Sequence, residues 1–331
     1  MSWWQDRKVL VTGGAGFIGS NLCDALVEAG ARVVVVDDLS VGSRANLEPA
    51  LASGRLELVQ ASIVQPGDWQ DRLTEVSVVF HMAVVCLRQS FEKPLYVHEV
   101  NATGTLLTLE ACRQHAPRLE RFVYCSSSEV YGSARTAPMD ENHPLRPTTV
   151  YGASKLAGEI YTLASQLPVS VARPFNTYGP REHHEGTSGE VIPRFAVRIA
   201  NGLPPLIFGD GSQTRDFTHV SDTARGLMLT ASTSAARGET INLARGQEVS
   251  IADIAARLLK RFERSDLNCQ FEAARPADVD RHFAATDKAA RLLHFRANLS
   301  IDEGLDLYVR WFRQTHPQVE QLLEDVQPQN W

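Results

Sequence analysis

The 331-residue sequence is poor in the features that would place a chain in a membrane, on a nucleic acid or outside a cell. No apolar stretch approaches the ~20 residues that a membrane-spanning helix requires. The opening residues, MSWWQDRKVLVTGG, lack the basic region, apolar segment and small-residue cleavage site of a secretory signal. The net charge is −6 and no block of basic residues occurs, which argues against a nucleic-acid partner. Cysteine is sparse as well. Cys23, Cys86, Cys112, Cys125 and Cys269 are odd in number, far apart and without a C-x-x-C, so they read as reduced thiols rather than as disulfides or a zinc site. Low-complexity segments and fixed-period repeats are missing too. What remains is a soluble cytoplasmic globular protein, 44% hydrophobic, with enough apolar residues for one large core or two modest ones.

The first half alternates β-rich runs with helical patterns. KVLVTG (8–13), RVVVVDD (32–38), LELVQ (56–60), VSVVFHMA (76–83), RFVYCSS (121–127) and VSVARPFN (169–176) are expected strands. Several are apolar throughout, as when helices cover both faces of a sheet. Residues 19–30, 104–115 and 151–166 are expected helices. The alternation predicts an α/β fold, a Rossmann-like doubly wound parallel sheet that binds ligands beyond the carboxyl ends of its strands. After about residue 178 the pattern turns to polar loops, mixed helices and short strands. The expected division is a cofactor-binding domain over 1–178 and a smaller C-terminal α/β substrate-binding domain over 179–331, with segments free to cross back into the main sheet.

VLVTGGAGFIGSNL puts Gly13, Gly16 and Gly19 between the first strand and the first helix. Small residues there let the backbone turn tightly and approach a pyrophosphate, which meets the N–H groups of the helix N-terminus. Asp37 ends the second strand, at the position from which a carboxylate accepts a hydrogen bond from an adenine-ribose hydroxyl. The same charge would repel a 2′-phosphate, so NAD is expected rather than NADP. The candidate contacts are Gly13, Gly16, Phe17, Ile18, Gly19, Asp37 and Asp38. In YGASK, Tyr151 and Lys155 stand four apart on an expected helix and share a face. An ammonium near the phenol lowers its pKa and makes a phenolate base usable near neutral pH. With seven tyrosines and only five lysines in the chain, that spacing is uncommon by chance.

Together with HMA (81–83), Asn101 in NATGT and the strand ending in SSSEVYG (126–132), these motifs resemble the extended short-chain dehydrogenase/reductase superfamily. Within it, the match is to the NAD-dependent nucleotide-sugar epimerases, dehydratases and decarboxylases, over nearly the whole chain. The resemblance implies a tightly held NAD that oxidises the sugar C4 hydroxyl and later returns the hydride. Tyr151 would be the C4 base, Lys155 its electrostatic partner and holder of the nicotinamide ribose, and Ser127 the hydrogen-bonding partner of the C4 oxygen. Ala83 and Asn101 would support the cofactor, and Ser62 stands where relatives carry an adenine-recognising aspartate. On the substrate side the resemblance assigns Asn176, Arg215 and Arg275 to the diphosphate, Phe208 to the base, Asp278 to a ribose hydroxyl and Val191 to the lining. Arginine suits that work because its fork matches phosphate oxygens. A UDP-sugar and a homodimer are the expected partners. His183 and His184 lack a third ligand at suitable spacing, so no metal is expected.

Members of this group share C4 oxidation and then diverge. A 4-epimerase needs little more. A dehydratase needs a base for the C5 proton and an acid for the departing C6 hydroxyl, whereas a decarboxylase needs no leaving-group acid. Glu129 occupies the base position, which simple epimerases commonly lack. Ser128 occupies the acid position, and a serine is a far poorer acid than a carboxylic acid. The expected activity is an NDP-hexose or hexosamine dehydratase, ahead of a 4-epimerase and then a uronate decarboxylase. A non-catalytic NAD-binding regulator is disfavoured by the intact Ser127, Tyr151 and Lys155.

Overall fold

The computed structural model describes residues 2–186, 189–274 and 279–326. Strands β1 (Lys8–Thr12), β2 (Arg32–Asp37), β3 (Leu56–Gln60), β4 (Val78–His81), β5 (Arg121–Cys125) and β6 (Val169–Pro174) lie in one parallel sheet with Thr240–Leu243. The seven strands run in the order Thr240–Leu243, β6, β5, β4, β1, β2, β3. Every residue of β4, β5 and β6 is buried, which is why those runs carry no polar alternation. Only the edge strand β3 shows exposed positions in turn with covered ones.

Helix Phe17–Glu28 covers one face with Leu22 and Leu26, joined there by Leu227 and Ala231 of helix Val220–Ser232. Helix Gly104–His115 covers the other with Leu109 and Cys112. From β1 the chain steps outward to β3, then crosses to β4 on the far side of β1. That reversal opens a crevice at the carboxyl ends of β1 and β4, where such sheets take their ligands.

Past β6 the chain visits both parts of the molecule. Helix Val220–Ser232 and strand Thr240–Leu243 belong to the main sheet and its core. A separate apolar cluster gathers Ile192, Phe195, Ile254, Leu258, Leu305 and Phe312 from helices Val191–Ala200, Ile251–Arg261 and Ile301–Thr315. The last of these begins with a capping box between Ser300 and Glu303. Among the described residues no helix is long and apolar enough to cross a membrane.

Helix Val150–Ala164 is the element that matters most for the site. Thr149 caps it, accepting the Gly152 N–H at 3.0 Å, which sets Tyr151 in the first turn and Lys155 one turn later. Gly158 lets the helix lie against β5, because a Cβ there would collide with the Tyr124 hydroxyl. A buried ion pair holds the same helix to β6. Arg173 donates to Glu159 at 2.8 and 2.6 Å and to the Tyr131 hydroxyl at 2.9 Å, and the paired side chains are 4% and 2% exposed. Removing one partner of such a pair strands a charge in the interior. Glu159→Ala is therefore expected to cost about 3–5 kcal/mol of stability, and the double variant Glu159→Leu/Arg173→Met considerably less. Urea denaturation of the two proteins makes the comparison, and equal losses would contradict the assignment.

Candidate active site

The crevice between β1 and β4 is built where no side chain fits. Gly13 has φ +65°, and a Cβ on it would stand 2.6 Å from the Ala83 main chain; one on Gly19 would come within 2.9 Å of Gly14 Cα. Helix Phe17–Glu28 starts after Gly16 with no side-chain cap, so its first turn offers N–H groups and a positive end to the crevice. Phe17, Ile18 and Gly19 of that turn line the cavity, with Ser62 after β3 and Ala83 after β4. Asp37 closes β2. Its carboxylate accepts the Ala15 N–H and the Leu39 N–H, both at 2.9 Å. Burial pushes the Asp37 pKa up, against the pull of those two donors. Asp38 lines the cavity beside it and accepts the Ser40 N–H at 3.0 Å. A glycine cradle, an uncapped helix N-terminus and a carboxylate at the end of β2 fit a dinucleotide, its pyrophosphate on the helix and its ribose against Asp37.

The cavity, about 620 Å³, continues past Ser126, Ser127, Ser128, Glu129, Tyr151 and Lys155. SSSEVYG leaves the end of β5 and coils into a single 3-10 turn, Ser128–Val130. The Ser127 hydroxyl caps that turn by accepting the Glu129 N–H at 3.2 Å, and it lines the cavity together with Tyr151. Burial pushes the Tyr151 pKa upward. The Ser127 hydroxyl acts to lower it, favouring the phenolate, and the negative charge of Glu129 disfavours the phenolate. The Lys155 Nζ donates to the Cys125 carbonyl at 2.5 Å and lies 4.5 Å from the centre of the Tyr124 ring. Burial lowers its pKa to about 8, with Cys125 and Glu159 acting the other way. Asn101 sits behind the cavity wall. In a π-helical turn, Glu99–Thr103, it exchanges hydrogen bonds with the Val85 main chain at 2.8 and 3.1 Å and donates to Ser154 at 3.2 Å. It thus ties the segment after β4 to the helix of Tyr151 and Lys155.

On the far side the same cavity meets Asn176, Val191, Phe208 and Arg215. Arg215 donates through Nη1 to the Thr214 and Val279 carbonyls at 2.8 and 2.7 Å. Ser126 Oγ and Asn176 Oδ1 are buried without a partner, polar atoms left over for a ligand. Arg275 and Asp278 lie outside the described residues. His183 lines the cavity, and no cluster of three metal-binding side chains occurs among the described residues.

The sequence reading missed one pair. Arg88, in the loop after β4, forks onto Glu190 at 2.9 and 3.3 Å, and both line the cavity. Glu190 is the N-cap of helix Val191–Ala200, so the bridge joins the main sheet to the smaller core. Glu182 is buried nearby, its pKa pushed well above the carboxylate range by burial and then by the charge of Glu190. Arg88 and Glu190 are a hundred positions apart and follow no motif, so no spacing announces them.

Residues 9–244 match the family described as NAD dependent epimerase/dehydratase. The chain is 34% identical over 314 residues to a UDP-glucose 4-epimerase of Mycolicibacterium smegmatis, covering 92% of this chain and 98% of that one. It is 30% identical over 327 residues to a UDP-N-acetyl-alpha-D-glucosaminuronate decarboxylase of Bacillus cytotoxicus, covering 93% and 98%. Among solved structures, a dTDP-glucose 4,6-dehydratase of Streptomyces venezuelae with NAD bound superposes with a TM-score of 0.88 at 30% identity, over 95% of this chain and 99% of that one. These names mix epimerase, dehydratase and decarboxylase, and each carries a nucleotide sugar. The chain belongs to the NAD-dependent epimerase/dehydratase family of nucleotide-sugar enzymes.

Proposed function

We propose that this enzyme oxidises C4 of a UDP-hexose or UDP-hexosamine and then removes water across C5 and C6. The observation that carries the second half is Glu129, whose carboxylate lines the cavity close enough to Tyr151 to act on its phenol. Tyr151 takes the C4 hydroxyl proton, and Ser127 holds the C4 oxygen. NAD, when bound, supplies the acceptor for the C4 hydride and gives it back at the end of the cycle. Lys155 leaves the Cys125 carbonyl for the nicotinamide ribose, where its charge favours the Tyr151 phenolate. Gly13, Gly16, Phe17, Ile18, Gly19, Asp37, Asp38, Ser62 and Ala83 hold the cofactor, and Asn101 steadies the wall behind it.

The 4-ketone acidifies the C5 proton, and Glu129 removes it. Ser128 is buried and a poor acid, so we assign the protonation of the departing C6 oxygen to Glu129 too, with the proton it has just taken. The returning hydride then goes to C6 and a solvent-derived proton to C5, which leaves the sugar lighter by one water. A 4-epimerase is the second reading, favoured by that same serine. The nucleotide lies between Phe208, Val191, Asn176 and Arg215, with Arg275 and Asp278 assigned by resemblance to its phosphate and ribose. Relatives whose names carry UDP-sugars support uracil as the base. The proposed division of labour is cofactor on residues 1–178 and nucleotide sugar on the smaller C-terminal lobe, and the reduced thiols fit a cytoplasmic enzyme.

We also propose a homodimer. Leu95 and Ile160 are 84% and 57% exposed, and Leu106 and Leu163 are exposed too, on helices Pro94–His98 and Gly104–His115 and on Val150–Ala164, against which both of them pack. A contiguous apolar face of that kind marks an association surface.

Three outcomes test this reading. Tyr151→Phe, which keeps the ring and loses the proton acceptor, is expected to lower turnover by about a hundredfold or more in coupled assays with a panel of nucleotide sugars; full activity would end the C4-base assignment. Glu129→Gln should still oxidise C4, seen as NADH absorbance on mixing, while the dehydrated product disappears from the mass spectrum; an undiminished yield would favour the epimerase. Leu95→Glu with Ile160→Glu should convert the protein to a monomer by light scattering, and a surviving dimer would place the interface elsewhere.

A further inference from the structure

Tyr131 follows directly on the 3-10 turn Ser128–Val130, and its side chain is wholly buried. Its hydroxyl accepts Nη1 of Arg173 at 2.9 Å and donates to Oδ1 of Asn242 at 2.7 Å. Those two residues are paired in register, one on β6 and the other on strand Thr240–Leu243. Burial pushes the Tyr131 pKa up to about 12, against the charge of Arg173, so the hydroxyl keeps the proton that it donates. Asn242 is held in turn: its Nδ2 donates to the Met139 carbonyl at 3.1 Å and its main-chain N–H to Glu141 at 2.8 Å.

The same guanidinium holds the other half of the site. Its Nε and Nη2 go to Glu159, about two turns along the helix from Tyr151. Arg173 therefore grips helix Val150–Ala164 with two N–H groups and the end of the catalytic turn with a third. Nearer the sugar the two pieces meet directly. Gly152 stands next to Tyr151, and a Cβ on it would lie 2.7 Å from the Glu129 carbonyl oxygen. A slip of the turn against this helix moves Ser127 and Glu129 relative to Tyr151. The turn resists such a slip poorly on its own, because its hydrogen bonds are few and badly aligned. The Tyr131 N–H reaches the Ser128 carbonyl at 3.1 Å and the Gly132 N–H the Glu129 carbonyl at 3.3 Å.

We infer that Tyr131 is a positioning residue: its hydroxyl, fixed between Arg173 and Asn242, locks the turn that carries Ser127 and Glu129 to the helix that carries Tyr151. One buried arginine thus sets the separation of groups contributed by two different elements. What those groups do to the sugar rests on the C4 and C5 chemistry proposed above; that the hydroxyl locks them does not.

Tyr131→Phe removes the hydroxyl and keeps the ring. With NAD-loaded enzyme and the UDP-sugar that the wild type converts, measured well below the melting temperature, it should lower kcat by about tenfold to a hundredfold, as a displacement of about 1 Å at reacting groups does. KM and the calorimetric affinity for UDP should stay within about twofold. Glu159→Leu/Arg173→Met takes away the same anchor from the opposite side. It should lose a comparable share of kcat while keeping most of its stability, and adding Tyr131→Phe to it should cost less than about twofold more. Amide exchange gives a readout independent of turnover. The Gly132 amide should exchange at least about tenfold faster in Tyr131→Phe than in wild type, with core amides of β5 unchanged. A wild-type kcat in a destabilised Tyr131→Phe, a loss of UDP affinity that matches the loss of kcat, losses that multiply in the triple variant, or an unchanged Gly132 amide would each overturn the inference. A wild type that converts no nucleotide sugar would overturn the proposed function instead, and the exchange measurement would still decide this one.

Discussion

The site depends on how helix Val150–Ala164 is pinned to the sheet. In the proposed reaction Tyr151 and Lys155 act only if their helix keeps a fixed distance from the end of β5, where the serines emerge. Two features set that distance. Gly158 admits close approach to Tyr124, and the buried Arg173–Glu159 fork ties the helix to β6. Asn101 adds a third tie, through Ser154, to the segment after β4 that completes the crevice. The polar interior here positions groups as much as it stabilises, because a charged pair this deep contributes little net stability beside a well-packed apolar alternative.

The electrostatics of the pair are unfinished in this structure. Burial raises the Tyr151 pKa and lowers that of Lys155, and each shift disfavours the charged form needed for C4 deprotonation. The ammonium rests on the Cys125 carbonyl. A lysine in that position needs only a rotation of its flexible stem to reach a ribose beside the phenol. The Arg88–Glu190 bridge lines the same cavity and joins the loop after β4 to the N-cap of helix Val191–Ala200.

Much of this was legible in the sequence, for physical reasons that differ by element. The six strands of the first half were readable because a sheet covered on both faces demands uninterrupted apolar runs; LELVQ matches β3 end to end. The glycine loop was readable because backbone contact leaves no room for a Cβ, as Gly13 against Ala83 shows. Helix Val150–Ala164 was placed to within two residues, since its cap, spacing and apolar face agree. The direction of Lys155 was not readable, because a four-residue spacing fixes the face of a helix and not the end of a long side chain. Strand Thr240–Leu243 was missed too: four residues joining a distant sheet leave little local pattern. Arg88 and Glu190 meet through a tertiary contact alone.

The central claim is that Glu129 makes this site work at C5 as well as at C4. It is tested most directly by running the reaction in deuterium oxide with NAD and the UDP-sugar that is consumed, then reading the product by mass spectrometry and proton NMR. The account expects a product that has lost water and carries solvent deuterium at C5. An isomer of unchanged mass that keeps its C5 proton would contradict it and leave the oxidation at C4 as the whole of the chemistry.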